Sequence, residues 1–241
     1  MEDVPDIYDP AFVKAVFDRC SRRYIAFSYA CSLGFTERWR RQCVAALALP
    51  QGAATGYDFM SGTGEVWPHL LAANPEIEQI IAVDISSGMH TLAMERLHAM
   101  RSDRIAFIED DVLASDLPDA SADFVVSTFG LKTFSPAQHR RLAALTARVL
   151  KPGGRFSFIE ASDPRGWVLR PLYLFHLKTV LPAIERIFLR GAQDFAMIGT
   201  YSTQFGNCRQ FTGMLEGAGL IASYRRAFFG CATMAFGHKP R

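Results

Sequence analysis

Apolar and polar residues alternate in short blocks through the middle of this chain. Strand-like apolar runs stand at 55–60, 80–84, 105–109, 123–128 and 154–160, and helix-like stretches at about 65–74, 87–100 and 136–150 separate them. The alternation predicts an α/β architecture, Rossmann-like, with a mostly parallel sheet covered by helices on both faces. Before it, Asp9 to Leu49 reads as helical, with Phe12, Val16, Phe17, Tyr24 and Trp39 among the apolar positions, and Pro50-Gln51-Gly52 closes that region. Lys151-Pro152-Gly153-Gly154 predicts a sharp turn ahead of the strand that starts at Arg155. After Glu160 the pattern changes: Leu174, Leu177, Leu181, Ile184 and Phe188 recur at spacings of 3, 4, 3 and 4, one face of a helix limited by Pro171 and Pro182. A helix over 208–217 and strands around 220–229 and 231–237 complete the pattern. The expected organisation is a helical cap over 1–50 and a sheet domain over 51–241, with an insertion at about 163–205. Cap and insertion would wall a pocket at the carboxyl edge of the sheet, where ligands bind in such folds.

The chemistry concentrates at the predicted strand tips. Tyr57-Asp58-Phe59-Met60 runs into Ser61-Gly62-Thr63-Gly64-Glu65, and the next strand ends in Asp84, 22 residues after the first glycine. Strand, glycine turn, helix, strand and acid in that order read as a nucleoside-binding unit. The glycines bring bare N–H groups close to a ligand, and the acid accepts hydrogen bonds from both ribose hydroxyls. Each residue also has a plainer reading. The glycines serve an ordinary turn, Asp58 caps the following helix, and Asp84, Ser86 and Ser87 suit a helix N-cap. Met89 either packs on an adenine face or belongs to the core. In Glu109-Asp110-Asp111-Val112, Asp111 and the Val112 N–H either read the adenine edge or lie in a solvated acidic loop. Ser127 and Lys132 flank the fourth strand's end, and Lys132 is either a catalytic ammonium or a surface lysine. The N-terminal arginines (Arg19, Arg22, Arg23, Arg38, Arg40, Arg41), with aromatics interleaved, make either a lid, a membrane-surface helix or a solvated helix face.

Composition narrows the class. At 241 residues, 49% apolar and net charge +2, the chain can bury a core and carries no global charge for nucleic acid. Five scattered cysteines and six scattered histidines offer neither a disulfide frame nor metal-ligand spacing. The acidic start, Met1-Glu2-Asp3, lacks the apolar core of a signal peptide, and no run is long enough to span a bilayer. A cytoplasmic protein acting on a small molecule, with at most peripheral membrane contact, is expected.

These residues resemble the class I S-adenosylmethionine-dependent methyltransferases, and more closely the ubiquinone/menaquinone-biosynthesis C-methyltransferases. Asp58…Ser61-Gly62-Thr63-Gly64-Glu65, Val83-Asp84-Ile85-Ser86…Gly88-Met89, Phe129-Gly130-Leu131 and Arg148-Val149-Leu150-Lys151-Pro152-Gly153-Gly154 carry the likeness. So do Phe17-Asp18…Arg22-Arg23-Tyr24, Arg38-Trp39-Arg40-Arg41 and Gly230-Cys231-Ala232…Gly237-His238-Lys239 at the two ends. The resemblance implies a seven-stranded methyltransferase sheet and S-adenosylmethionine as cofactor. It implies a cofactor site at Asp58, Ser61, Gly62, Thr63, Gly64, Asp84, Ile85, Met89, Asp111, Val112 and Ser127. Acceptor contact would fall to Lys132 and Tyr24 as catalytic groups, with Thr133, Tyr173, Met197 and Tyr201 binding substrate. The departures lie in that acceptor half. The family's Arg-Asn pair is Lys132-Thr133 here, Ile25 stands where an aspartate follows Tyr24, and Phe195 and Met197 stand in place of a tyrosine pair. A small aromatic or quinol-like acceptor, methylated on carbon or oxygen, is the expectation. The competing readings are a same-fold enzyme that releases methylthioadenosine and a non-catalytic binding module. A nicotinamide oxidoreductase is disfavoured because the turn lacks Gly-x-Gly-x-x-Gly.

Overall fold

A computed structural model describes residues 6–32, 34–183 and 196–241, with the side chains of 22–31, 196 and 198 left outside. Seven strands form one sheet: β1 (Ala54–Phe59), β2 (Ile77–Asp84), β3 (Ile105–Glu109), β4 (Ala122–Thr128), β5 (Leu150–Ala161), β6 (Ile221–Ala227) and β7 (Ala232–His238). Their order is β3-β2-β1-β4-β5-β7-β6; neighbours among the first five pair parallel, and β7 runs antiparallel to both β5 and β6. The chain reverses its direction along the sheet between β1 and β4, which opens a crevice above the strand ends there.

Both sheet faces are buried, and side chains alternate between them. Ile80, Ala82, Phe124 and Val126 join one core with Trp67 and Leu70 of α3 (Trp67–Ala73). Val83, Val125, Phe156 and Phe158 join the opposite core. That core is covered by Leu142, Leu145 and Val149 of α5 (Pro136–Val149) and by Phe211 and Leu215 of the late helix Arg209–Gly217. Ser135 starts α5 with a full capping box: its hydroxyl accepts from Gln138 N–H while the Gln138 side chain reaches back, and Pro136 follows in the first turn.

The expected cap divides in two. Helix α2 (Phe35–Leu47) places Trp39, Cys43, Val44 and Leu47 in the first core, against β4, β5 and β7. It is therefore part of the sheet domain's own packing. Helix α1 (Pro10–Ser32) instead lies on α4 (Ser87–Met100) at the cleft side. The turn predicted at 151–154 is present as a bulge inside β5: Ala122 pairs with Leu150 and Phe124 with Arg155, so four residues loop out of register, with Gly153 at φ 81°. Helix α6 (Arg170–Phe175) continues through a π-type turn at His176–Val180 as far as residue 183. Ile184, Phe188 and Phe195 lie outside the described residues. Two more helices, α7 (Ala196–Phe205) and α8 (Arg209–Gly217), precede the final strands. No helix among the described residues is long and apolar enough to cross a membrane.

Two glycines separate packing from propensity. A Cβ at Gly56 in β1 would stand 2.5 Å from the Phe124 ring and from its carbonyl oxygen, whereas one at Gly213 in α8 would meet nothing within 4 Å. Gly56→Ala is expected to cost roughly 1–3 kcal/mol through overpacking. Gly213→Ala is expected to add about 0.5–1 kcal/mol through reduced backbone freedom. Urea denaturation midpoints check both, and equal shifts of the same sign would contradict the packing described.

Candidate active site

The ends of β1 and β2 are joined by hydrogen bonds that fix the glycine turn. Ser61 N–H donates to the Val83 carbonyl at 3.1 Å, and Gly62 N–H donates to Asp84 Oδ2 at 2.7 Å. Ser86 N–H donates to Asp84 Oδ1 at 2.9 Å. An ionised carboxylate has about four acceptor positions. Two are used by the backbone, which leaves two directed outward for a diol. Burial pushes the Asp84 carboxyl up, and the two N–H donors oppose that shift. The helix-cap task considered for Asp84 belongs to Ser86, whose hydroxyl accepts from Met89 N–H at 3.1 Å.

The turn itself uses left-handed backbone at Met60 (φ 52°), Gly62 (φ 55°) and Gly64 (φ 69°). At Gly64 a Cβ would fall 2.1 Å from the Trp67 ring, so that glycine is required by space as well as by φ. At Gly62 a Cβ would meet nothing within 4 Å, so its bare face lies open. Trp67 Nε1–H donates to Asp58 Oδ2 at 2.8 Å, and Asp58 therefore holds a ring of α3 and does not cap that helix. Its other oxygen, Oδ1, is buried with no partner. Burial pushes the Asp58 carboxyl up to about 8, the Asp84 charge adding to the shift while the Trp67 bond and the Arg40 charge oppose it.

Above the turn opens a cleft of about 730 Å³, counting space continuous with solvent, bordered by Ser61, Gly62, Thr63, Asp84 and Ile85 at its centre. Met89, Asp111 and Val112 line one end together with Val13 and Phe17 of α1. Met89 borders the cleft and also packs with Cys20, Leu177 and Leu181. Helix α1 is fastened over this end. Asp18 Oδ1 accepts from Ser86 Oγ–H at 2.6 Å and Gly88 N–H at 2.9 Å, while Lys14 Nζ donates to the Ile85 carbonyl at 2.9 Å and Ser87 Oγ at 2.7 Å. The opposite end is formed by Met60, Phe129, Gly130, Thr133 and Phe134. Phe129 too has a left-handed backbone (φ 68°), and a Cβ on Gly130 would stand 2.4 Å from that of Met60. Strained residues on both strand tips are thus pressed together beside the site.

Several expected site residues are elsewhere. Lys132 is 5% exposed and turned inward: Nζ donates to the Phe129 carbonyl at 2.5 Å and to Glu160 at 2.9 Å, and the Lys132 N–H also donates to Glu160. It is neither a surface lysine nor an ammonium presented to the cleft, because a buried charge needs its counter-charge and Glu160 supplies it. Ser127 is buried a residue short of the border formed by Thr128 and Phe129. Tyr201 is 2% exposed and donates to the Ile7 carbonyl at 2.6 Å, tying α7 to the segment before α1. Tyr173 packs among Cys20, Met89 and Leu177 and does not border the cleft, nor does Met197 on α7. Thr133 does border it. The Tyr24 side chain lies outside the described residues.

Arg40 and Glu65 were passed over as site residues, yet both border the cleft. Arg40 Nη2 pairs with Glu65, and its guanidinium lies 5.3 Å from the Phe129 ring centre. In the sequence Arg40 stands among five other arginines of a helical stretch, and nothing local marks it as the buried one.

The profile of the ubiE/COQ5 methyltransferase family matches residues 4–239. A demethylmenaquinone methyltransferase from Bacillus cereus (strain AH187) is 24% identical over 229 residues, 95% of each chain. Among solved structures, a methyltransferase bound to the Trm112 activator from Haloferax volcanii superposes with a TM-score of 0.63 at 17% identity, covering 93% of this chain and 98% of that one. Phosphoethanolamine N-methyltransferase 2 of Haemonchus contortus, solved with S-adenosyl-L-methionine, gives 0.61 at 14% identity, covering 92% and 60%.

The Asp58 carboxyl has a consequence for stability. Folded, it keeps its proton up to about pH 8, whereas an unfolded aspartate ionises near 4. Between those values the folded state binds more protons, so its contribution is fully present below about 4 and is lost as pH rises towards 8. Asp58→Asn keeps an acceptor for Trp67 and removes the titration. Relative to the wild type it is expected to gain stability steadily across that window in ligand-free denaturation curves; parallel pH profiles would contradict the burial argument.

Proposed function

This chain belongs to the ubiE/COQ5 methyltransferase family, and we propose that it methylates a ring carbon of a quinol-type acceptor. It is a methyltransferase whose cofactor is S-adenosylmethionine. The observation that carries the reading is the division of the cleft. One end joins a diol-ready Asp84 to unpartnered buried polar atoms at the glycine turn, and the other is walled by Met60, Phe129 and Phe134. The polar end fits the cofactor. Asp84, Ile85, Met89, Asp111 and Val112 would hold the adenosine, and Ser61, Gly62, Thr63 and Gly64, backed by Asp58, would hold the amino-acid arm. Once bound, the cofactor supplies an electrophilic methyl group on a sulfonium. The protein's own part is positioning, exclusion of water and acceptance of one acceptor proton.

The aromatic end would place a flat acceptor ring against Phe129 and Phe134, with the Thr133 hydroxyl beside it. Tyr24 on α1 remains the proposed acceptor-side catalytic group. Lys132 acts as a positioning residue: by gripping the Phe129 carbonyl while bonded to Glu160 it holds the strained Phe129-Gly130 turn that forms this wall. The 24% identity to a demethylmenaquinone methyltransferase over 95% of both chains supports a quinol acceptor.

An apolar patch beside α6 fits a lipophilic acceptor met at a membrane surface. Val168 (89% exposed), Leu169, Leu172 and Phe175 stand out from α6 and its approach, Phe229 stacks on Trp167 at 5.3 Å, and Arg165 and Arg170 of the same segment both pair with Asp163. Leu172→Glu with Phe229→Glu is expected to abolish co-sedimentation with anionic phospholipid vesicles while leaving the fold intact. Undiminished co-sedimentation of the double variant would remove this surface from the account.

Incubation with methyl-labelled S-adenosylmethionine and a short-chain demethylnaphthoquinol is expected to give S-adenosylhomocysteine and a label on the ring carbon. Methylthioadenosine as product, or label on an oxygen, would overturn the proposed reaction.

A further inference from the structure

Four buried side-chain atoms around the glycine turn have no hydrogen-bond partner: Arg40 Nε, Arg40 Nη1, Asp58 Oδ1 and Thr63 Oγ1. Among the described residues only Gln42, Ser127 and Ser202 add one each, so the unmet polarity gathers at the glycine turn. Arg40 is the least expected member. It is 2% exposed, borders the cleft, and comes from α2, a helix fixed against the sheet by Trp39, Cys43 and Val44. Glu65 takes one edge of the guanidinium at Nη2, while Glu37 stands 3.7 Å from Nη1 without a hydrogen bond and is itself engaged by His69. A guanidinium is always charged and offers five donors in a rigid fork. Burying one with donors unused is costly unless something meets them. Nothing in the packing of α2 requires that arrangement, since the helix is already held by its apolar face.

A carboxyl group is close by. The Arg40 charge acts on the Asp58 carboxyl from within the same region, and Asp58 also has one oxygen unused. A guanidinium cation and a carboxyl group that a bound ammonium would favour in its ionised form, each with free hydrogen-bonding capacity and separated by a glycine turn with an open face at Gly62, complement a zwitterion. An α-amino acid is the ligand group that carries an ammonium and a carboxylate on one carbon. We infer that Arg40 is the receptor for the carboxylate of the bound cofactor's amino-acid arm, opposite Asp58 as receptor for its ammonium. Glu65 then acts as a positioning residue: it fixes the guanidinium plane by Nη2 and leaves the Nε and Nη1 donors unused, either of which can meet a carboxylate oxygen. The unused Thr63 hydroxyl lies in the same turn and supplies a further donor. This inference rests on the cofactor reading above and adds to it the element that selects for a carboxylate.

The test compares three ligands by titration calorimetry: S-adenosylmethionine, its decarboxylated form, and methylthioadenosine, which lacks the whole arm. The wild type is expected to bind S-adenosylmethionine about tenfold or more tightly than the decarboxylated form, the size of one charge-assisted contact. In Arg40→Gln that ratio is expected to collapse towards one, while methylthioadenosine binds as it does to the wild type, which shows that the adenosine end is intact. Arg40→Lys, which keeps the charge and loses the fork, is expected to retain part of the ratio. A ratio that survives in Arg40→Gln would overturn the inference. Should the variants fail to fold, the wild type still decides, because equal affinity for the two amino-acid ligands overturns it. Failure of the wild type to bind any of the three would instead overturn the cofactor reading itself.

Discussion

The Asp84 carboxylate holds the site together. It lies at the tip of β2 and accepts one N–H from the turn after β1 and another from the turn after β2. The two loops are thereby locked into one frame. Removing a buried carboxylate from water is unfavourable, and the two backbone donors offset that cost. The frame then determines the rest. Gly62 is held with its bare face outward, Ser86 is placed to cap α4, and Asp18 of α1 can reach both the Ser86 hydroxyl and the Gly88 N–H. The position of α1 beside the cleft thus follows from where Asp84 fixes the second turn.

The two ends of the cleft treat charge in opposite ways. At the aromatic end, Lys132 and Glu160 satisfy each other and the Phe129 carbonyl, and what faces the open space is mostly the rings of Phe129 and Phe134 and the Met60 side chain. Polarity there is consumed in shaping the wall. At the glycine turn, Arg40, Asp58 and Thr63 keep atoms unbonded in a buried setting. An unmet buried polar atom is destabilising to the free protein and favours any ligand that meets it. Such an arrangement is expected where binding, and not folding, sets the choice of side chain.

How much of this was legible depended on whether the deciding interaction was local. The strand periodicity located every parallel strand, because a sheet buried on both faces must show continuous apolar runs bounded by turns. The glycine turn and Asp84 were readable for the same reason: φ > 0, close backbone approach and a strand-tip acid leave marks within a few residues. Lys132 sits at a strand tip as expected, but the side its ammonium faces is decided by Glu160, 28 positions away on β5. Tyr201, within the expected insertion, is assigned to substrate binding by the resemblance, whereas its hydroxyl is claimed by Ile7 at the other end of the chain. Arg40 could not be singled out within an arginine-rich helix, since its burial follows from Glu65 and Phe129 on two separate strand-tip loops. Fold and cofactor frame are written in short-range pattern, and the acceptor half is written in contacts between distant segments.

The central claim is that the Asp84 frame is already built to receive an adenosine diol. A crystal structure of the protein with S-adenosylhomocysteine tests it most directly. The account predicts both ribose hydroxyls on the Asp84 carboxylate, with the Gly62 and Ser86 N–H bonds to that carboxylate still in place. A ligand seated away from Asp84, or an Asp84 that has released Gly62 to accommodate it, would contradict the claim.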